Sequence, residues 1–376
     1  MDTLVTVRAI AASDAAARAA VAAAWAEMDE CVLRLDRRRG ASEAWLKGDE
    51  KALRDPAQRP SDVWLINHGA GKWAAKVDPL VTSCLATAKE VFDLTEGAFD
   101  PTVGPLLDLW KEAETRGSPP SDAEIATARG LVGFAKVEVL VAELRRSPDE
   151  LGIVAPGTPP PTPEELAKIV CTVGLPAAGM RLDLGGVAKG YIAGRMASRM
   201  KQAGAIAGLV AAAGDVFAFG ERPALLAEGR DRRWGVAVQD PRDPEGRRPY
   251  TFVHIKDQGV DTSGHYYRGY TVAGRRYSHI FDPRTGRPVD SCIASVTVVA
   301  RDPGIADALA TAVCVLGIEK GLALVADLVD VHCLILEVDP SDAHPPQAGG
   351  APSPEANLIA HRSAGFAALE FKPAEP

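Results

Sequence analysis

Asp307 and Thr311, in the run A-D-A-L-A-T-A, are the residues of this 376-residue sequence whose types and spacing best suit holding a cation. At i and i+4 they share one helix face. A carboxylate beside a hydroxyl suits a hard ion such as Mg2+, which takes oxygen ligands and usually keeps phosphate or water in its shell. A plain Thr–Asp surface pair has the same spacing, but the neighbours are Ala, Leu and Val, and a carboxylate buried among them needs a partner. A second stretch, D-L-G-G-V-A-K-G at Asp183–Gly190, offers a place for an anion. Leu182 and Leu184 alternate with Arg181 and Asp183, which predicts a short strand; two glycines then turn the chain, and Lys189 stands at the mouth of a helix running to about Met200. Free N–H groups and the positive end of the helix dipole accept phosphate in such a place. An ordinary strand-to-helix connection looks much the same, so the turn alone does not decide.

Three further stretches carry reactive groups. Asp261–Asp290 is dense in them: Thr262, Ser263 and Gly264 read as a hydroxyl-bearing turn able to donate to phosphate oxygens, and His279 and Asp282 flank a strand end before the chain turns at Arg284 to Gly286. A lone histidine is usually structural; one set among serine, aspartate and arginine also fits acid–base chemistry. In Thr95–Trp110, two prolines and two glycines predict a shaped loop with no regular element. Within it Asp100 reads either as an Asx turn leading into Pro101 or, with Phe99, as a rigid pocket wall. Ile206–Gly220 reads as a hairpin or bulge with Asp215 at its tip, where the carboxylate can also be a mere turn cap. Trp64 suits stacking on a planar ring or burial in the core.

The elements that must position these groups follow from periodicity. The first ten residues alternate as a strand, Ala11–Leu33 is an alanine-rich helical pattern, and Val77–Leu94 is an amphipathic helix. Arg34–Pro60 is polar and irregular, and Ser61–Asn67 offers a cap ahead of a short apolar run. Gly117–Leu140 and Pro159–Leu184 echo one another: each is a proline-marked, capped helix, a glycine stop and a strand. Strands are expected at Trp234–Val238, Phe252–Lys256, Ser295–Ala300 and Val329–Val338, with a helix over Pro303–Leu316. Leu358–Phe371 closes the fold as a strand or pair. The proline-rich stretches 145–161 and 339–354 read as surface insertions.

Bulk properties narrow the function. Hydrophobic content of 47% and charge of 24% are those of an ordinary globular protein. A net charge of −8 with no basic run argues against a nucleic-acid partner, and no apolar stretch reaches membrane-spanning length. The N-terminal residues lack the charged start, apolar block and cleavage site of an export signal. The six cysteines, at 31, 84, 171, 292, 314 and 333, are scattered without C-x-x-C and read as buried free thiols.

Taken in order, T-E-G-A-F-D-P-T-V-G-P-L, D-L-G-G-V-A-K-G, A-G-D, D-T-S-G, Y-S-H-I-F-D-P-R-T-G and A-D-A-L-A-T-A resemble the motifs of the ApbE family of FAD:protein FMN transferases. The resemblance runs from Met1 to about Phe371. It implies magnesium-dependent transfer of the FMN half of FAD onto a threonine or serine hydroxyl of a target flavoprotein, with release of AMP. By position it makes Asp307 and Thr311 metal ligands, joined by main-chain carbonyls of Gly186 and Ala310. It makes Ala98, Phe99, Asp100, Asp183 and Lys189 FAD contacts, with Met1 and Trp64 as further carry-overs. Asp2 stands where the family has glycine, and His265 where an acidic or amide residue is commoner. On this reading Lys189 and Ser263 hold phosphate oxygens and His279 assists deprotonation of the acceptor, with Asp282 as the alternative base. Rival readings are an FAD pyrophosphatase with water as acceptor, and a flavin-binding protein without turnover. The expected architecture is a single α+β domain over residues 1–376, with mixed or antiparallel sheets, helices packed on their faces and two associated lobes around a flavin cleft. Many members of the family are exported and membrane-anchored, whereas this chain as written begins at the first family motif.

Overall fold

The computed structural model describes residues 4–51, 55, 58–143, 169–212, 214–222, 231–243, 245–264, 269–341 and 351–372. Its centre is a seven-stranded antiparallel sheet. In spatial order the strands are Val5–Ala11, Ala205–Ala212, Asp215–Phe219, Gln258–Gly264, Ile293–Ala300, His332–Val338 and Leu358–Arg362. Both faces of this sheet are covered, which explains why all eight residues of Ile293–Ala300 are buried. Side chains alternate between faces along a strand. Val296, Val298, Cys333 and Ile335 meet one hydrophobic core, while Val299, Leu334 and Leu336 meet another. The first core is filled by helices, among them Asp14–Leu35, Pro79–Leu94, Ala188–Gln202 and Pro303–Leu316. The second is closed by a smaller sheet of Glu370–Phe371, Pro249–Ile255 and Trp234–Gln239. Helices and antiparallel sheets thus make the expected α+β fold.

Helix starts follow local chemistry. Ser13, Ser61 and Asp78 each accept a backbone N–H at a helix N-terminus, and Ser121 forms a capping box with Glu124. The strands that follow the two echoing segments, Glu138–Glu143 and Ile169–Gly174, are neighbours in one three-stranded sheet with Ala75–Val77. The second echo's helix, the insertion at 145–161, and Met1 and His265 lie outside the described residues; of 339–354, only 339–341 and 351–354 are described. All six cysteines are free and five are buried, with burial pushing the Cys31 thiol up to about 12. Among the described residues, no helix is long and apolar enough to cross a membrane.

Three local expectations are overturned. The stretch expected to be loop throughout Thr95–Trp110 becomes helical at Gly104, and the helix runs to Arg116. Pro105 sits in its first turn, where its missing N–H costs nothing. The expected strand around Leu182 is a single bridge between Arg181 and Val103. In place of a ladder, the Asn67 side chain accepts from the Leu182 N–H at 2.7 Å and donates to the Leu182 carbonyl at 3.0 Å, and the Asp183 N–H donates to the Pro101 carbonyl. Thr262, Ser263 and Gly264 form no turn. They lie in a central strand, where Thr262 pairs with Thr297 and their hydroxyls are 2.9 Å apart.

Because Asn67 alone among the described residues satisfies both polar groups of Leu182, Asn67→Ala strands a buried N–H and carbonyl. The expected loss is about 1–3 kcal/mol of unfolding free energy, measured by urea denaturation.

Candidate active site

Strand alternation decides which acids face the helices. Val216 and Val260 belong to the core under the small sheet, so their neighbours Asp215 and Asp261 point to the helical side. There they meet Asp307, two of whose flanking residues, Ala306 and Ala308, are wholly buried. Close approach is possible because of two glycines. A Cβ on Gly190 would sit 2.0 Å from the Pro303 carbonyl oxygen, and one on Gly259 would sit 2.7 Å from the Pro303 Cβ. The helix starting at Ala188, the helix starting at Pro303 and the Gln258–Gly264 strand therefore converge on one point.

Lys189 occupies that point. Its ammonium lies 2.8 Å from Asp307 Oδ1 and 2.5 Å from Asp215 Oδ2, while the Gly190 N–H donates to Asp307 Oδ2 at 3.2 Å. Burial by itself lowers a lysine pKa, but Asp215 and Asp307 outweigh it and the net direction is upward. Asp215 is raised to about 7, chiefly by burial, with Lys189 opposing. Asp261 is fully enclosed, neither of its oxygens has a hydrogen-bond partner among the described residues, and burial raises it well above the carboxylate range, with Asp215 and Asp307 adding.

One turn along the same helix, Thr311 Oγ1 lies 3.1 Å from Ser263 Oγ. A Cβ on Gly186 would sit 3.3 Å from Thr311 Oγ1 and 3.2 Å from the Phe99 ring. The fold thus brings Phe99, Gly186, Lys189, Ser263, Asp307 and Thr311 together from four parts of the chain. The Asp307 carboxylate and the Thr311 and Ser263 hydroxyls are oxygen donors of the kind that fit a hard dication. Ala310 is enclosed beside Thr311, with its carbonyl within the helix.

Other predicted residues hold walls. Asp100 makes the Asx turn: Oδ1 accepts from the Thr102 N–H at 2.7 Å and the Thr102 hydroxyl at 2.5 Å, and Oδ2 accepts from the Phe134 N–H at 3.1 Å. Its carboxylate is engaged by the loop, and burial raises its pKa against those bonds. Ala98 is buried beside it. Asp183 accepts from the Gly185 N–H through Oδ1 and pairs with Arg37 Nε at 2.6 Å through Oδ2. Arg37 leads into a cavity of about 290 Å³ also lined by Trp64, Asn67, His68, Lys72 and Arg181. Trp64 stacks on His68 there, with centroids 4.6 Å apart. His279 is half-buried between the Arg275–Ser278 and Phe281–Asp282 strands. Asp282 is clasped by Arg284 through two side-chain bonds of 2.8 and 3.0 Å.

The chain has known relatives. A model of the ApbE family matches residues 1–335. The chain belongs to the ApbE family. It is 32% identical over 276 residues to the FAD:protein FMN transferase of Treponema pallidum, covering 73% of this chain and 70% of that protein. The protein of the same name from Escherichia coli K12 is 32% identical over 253 residues, covering 67% and 62%. Among solved structures, the ApbE protein of Thermotoga maritima superposes with a TM-score of 0.67 at 27% identity, covering 98% of this chain and 99% of that one. The apo flavinyl transferase ApbE of Pseudomonas stutzeri gives 0.66 at 23% identity, covering 98% and 94%, a likeness of fold.

The sequence reading gave four side chains of this site no part in it, placing Asp215 only at a hairpin tip. Asp215 and Asp261 lie inside the quoted runs A-G-D and D-T-S-G, yet only the sheet shows that they face Lys189. Arg37 and Asn67 carry no local signal, since their partners lie 146 and 115 residues away.

The raised carboxyls set the sign of a pH effect. Groups that keep their protons in the fold above the range near ~4, where the unfolded chain loses them, make the folded state the greater proton binder. Their contribution to stability is full below that range and is lost as pH rises toward and through about 7. In magnesium-free buffer, unfolding free energy should fall between pH 5 and pH 8, and Asp261→Asn should flatten that fall; guanidinium titrations at both pH values check it.

Proposed function

We propose that this chain is a magnesium-dependent FAD:protein FMN transferase, moving FMN from FAD onto a threonine or serine hydroxyl of a target flavoprotein and releasing AMP. The observation that carries the reading is the meeting of the Asp307–Thr311 helix face with the glycine turn at Gly186–Gly190, in a chain whose relatives bear that name. The single-domain reading of residues 1–376 is part of the proposal.

Phosphoryl transfer of this kind needs little covalent chemistry from the protein; positioning and charge neutralisation supply most of the rate. Asp307, Thr311 and the carbonyls of Gly186 and Ala310 would hold Mg2+. When bound, the ion neutralises pyrophosphate oxygens and polarises the phosphorus. Lys189 and Ser263 hold phosphate oxygens, while Phe99, Ala98, Trp64 and the loop stapled by Asp100 shape the cleft. His279 takes the proton of the acceptor hydroxyl as its oxygen bonds to the FMN phosphorus. The bond from that phosphorus to the bridging oxygen breaks, and AMP leaves with the oxygen. Imidazole is the side chain most often used to take a proton in a transition state. Asp282, clasped by Arg284, is the poorer acceptor.

Incubation with FAD, Mg2+ and a peptide carrying the acceptor residue should add one FMN to the peptide by mass spectrometry. Free FMN alone would instead make the chain a pyrophosphatase, and no product at all a flavin binder. His279→Ala should slow transfer by about 10²–10⁴-fold while leaving FAD binding largely intact; unchanged transfer would place the base elsewhere. Asp307→Ala should abolish transfer at every Mg2+ concentration, and metal-stimulated activity in that variant would contradict the ligand assignment.

A further inference from the structure

We infer that Asp261 is a positioning residue, the acceptor that takes the Lys189 ammonium when Asp307 turns to a cation. The inference rests on the proposed role of Asp307 as a metal ligand. In the structure Asp307 is already engaged, by Lys189 on one oxygen and the Gly190 N–H on the other. A dication at the Thr311 side of that carboxylate and an ammonium 2.8 Å from it repel one another, so the lysine has to give way. Its four-carbon stem lets the ammonium move.

The sheet provides somewhere for it to go. Val216 pairs with Val260 in antiparallel register, so the next pair along sets Asp215 opposite Asp261 on the helical face. Carboxylates facing one another across two strands destabilise a sheet unless a cation lies between them. Lys189 already touches Asp215, its charge acts on Asp261, and both Asp261 oxygens, in a fully enclosed position, are without hydrogen-bond partners among the described residues. A buried polar group left so is costly and is the natural acceptor for a displaced donor. Exchange of Asp307 for Asp261 keeps Lys189 on Asp215 throughout, leaves the third ammonium N–H for a phosphate oxygen and frees Asp307 Oδ1.

The test is Mn2+ binding to the full chain without FAD, read from the electron paramagnetic resonance of free Mn2+. Asp261→Asn should raise the Mn2+ Kd about tenfold, within the range of coupling between neighbouring groups. In a Lys189→Met background the same change should shift Kd less than about twofold, because no ammonium is left to move. A Kd unaltered by Asp261→Asn, or raised equally in both backgrounds, would overturn the inference. Asp307→Ala separates the two ideas. If it binds Mn2+ like the unaltered chain, or if the unaltered chain binds none, the ligand assignment falls and takes this inference with it. If it loses binding while Asp261→Asn does not weaken it, only the inference falls. Thermal unfolding accompanies each variant; if Asp261→Asn does not fold, Asp261→Ala is read in its place, and failure of both to fold would assign Asp261 to the core and overturn its positioning role.

Discussion

One ammonium among three enclosed carboxylates is the constraint on which the rest of this structure depends. Lys189 joins the first turn of one helix to Asp307 on another and to Asp215 on the central sheet, with Asp261 beside them. Charges in such a place are stable only when paired, because desolvation penalises each of them separately. The pairing therefore sets how the glycine turn, the Pro303–Leu316 helix and the sheet lie against one another. Gly190 and Gly259 are the steric condition for it, since a methyl at either position would strike Pro303.

Around that centre, polar side chains tie the loops and turns to one another. Asp100 fastens its loop to Phe134, Asn67 replaces a strand ladder at Leu182, and Asp183 closes the glycine turn while gripping Arg37. Each lies within a stretch where the family resemblance points to the cofactor. Rigid walls account for that as well as direct contact does: a turn held by fixed hydrogen bonds offers its backbone to a ligand without reorganising. The Trp64–His68 stack and its cavity connect to the glycine turn through Arg37 and Asp183.

The two-sided burial of the central sheet has a functional side. With one face against helices and the other against the small sheet, a strand such as Gln258–Gly264 can carry Val260 into one core and Asp261 and Ser263 toward the other. The same strand thus contributes to packing on one side and to chemistry on the other. The Ser263 hydroxyl reaches Thr311, and Thr262 on the opposite face ties the strand to Thr297.

Much of this was legible locally. Periodicity located the Pro303–Leu316 helix and the helix after Lys189, and the i, i+4 spacing of Asp307 and Thr311 was itself a geometric statement about one face. Ordered motifs identified the family. Local composition failed where the outcome depended on distant partners. The Gly–Pro pair at 104–105 opened a helix instead of prolonging a loop, because helix starts tolerate proline. Leu182 took its hydrogen bonds from Asn67, and D-T-S-G became strand because strands waited on both sides of it. Above all, the environment of Lys189 was a tertiary decision. Sequence placed a lysine at a helix mouth, but which carboxylates would surround it depended on sheet register and on glycine contacts between elements distant in the chain, and burial then pushed Asp215 and Asp261 toward the protonated form.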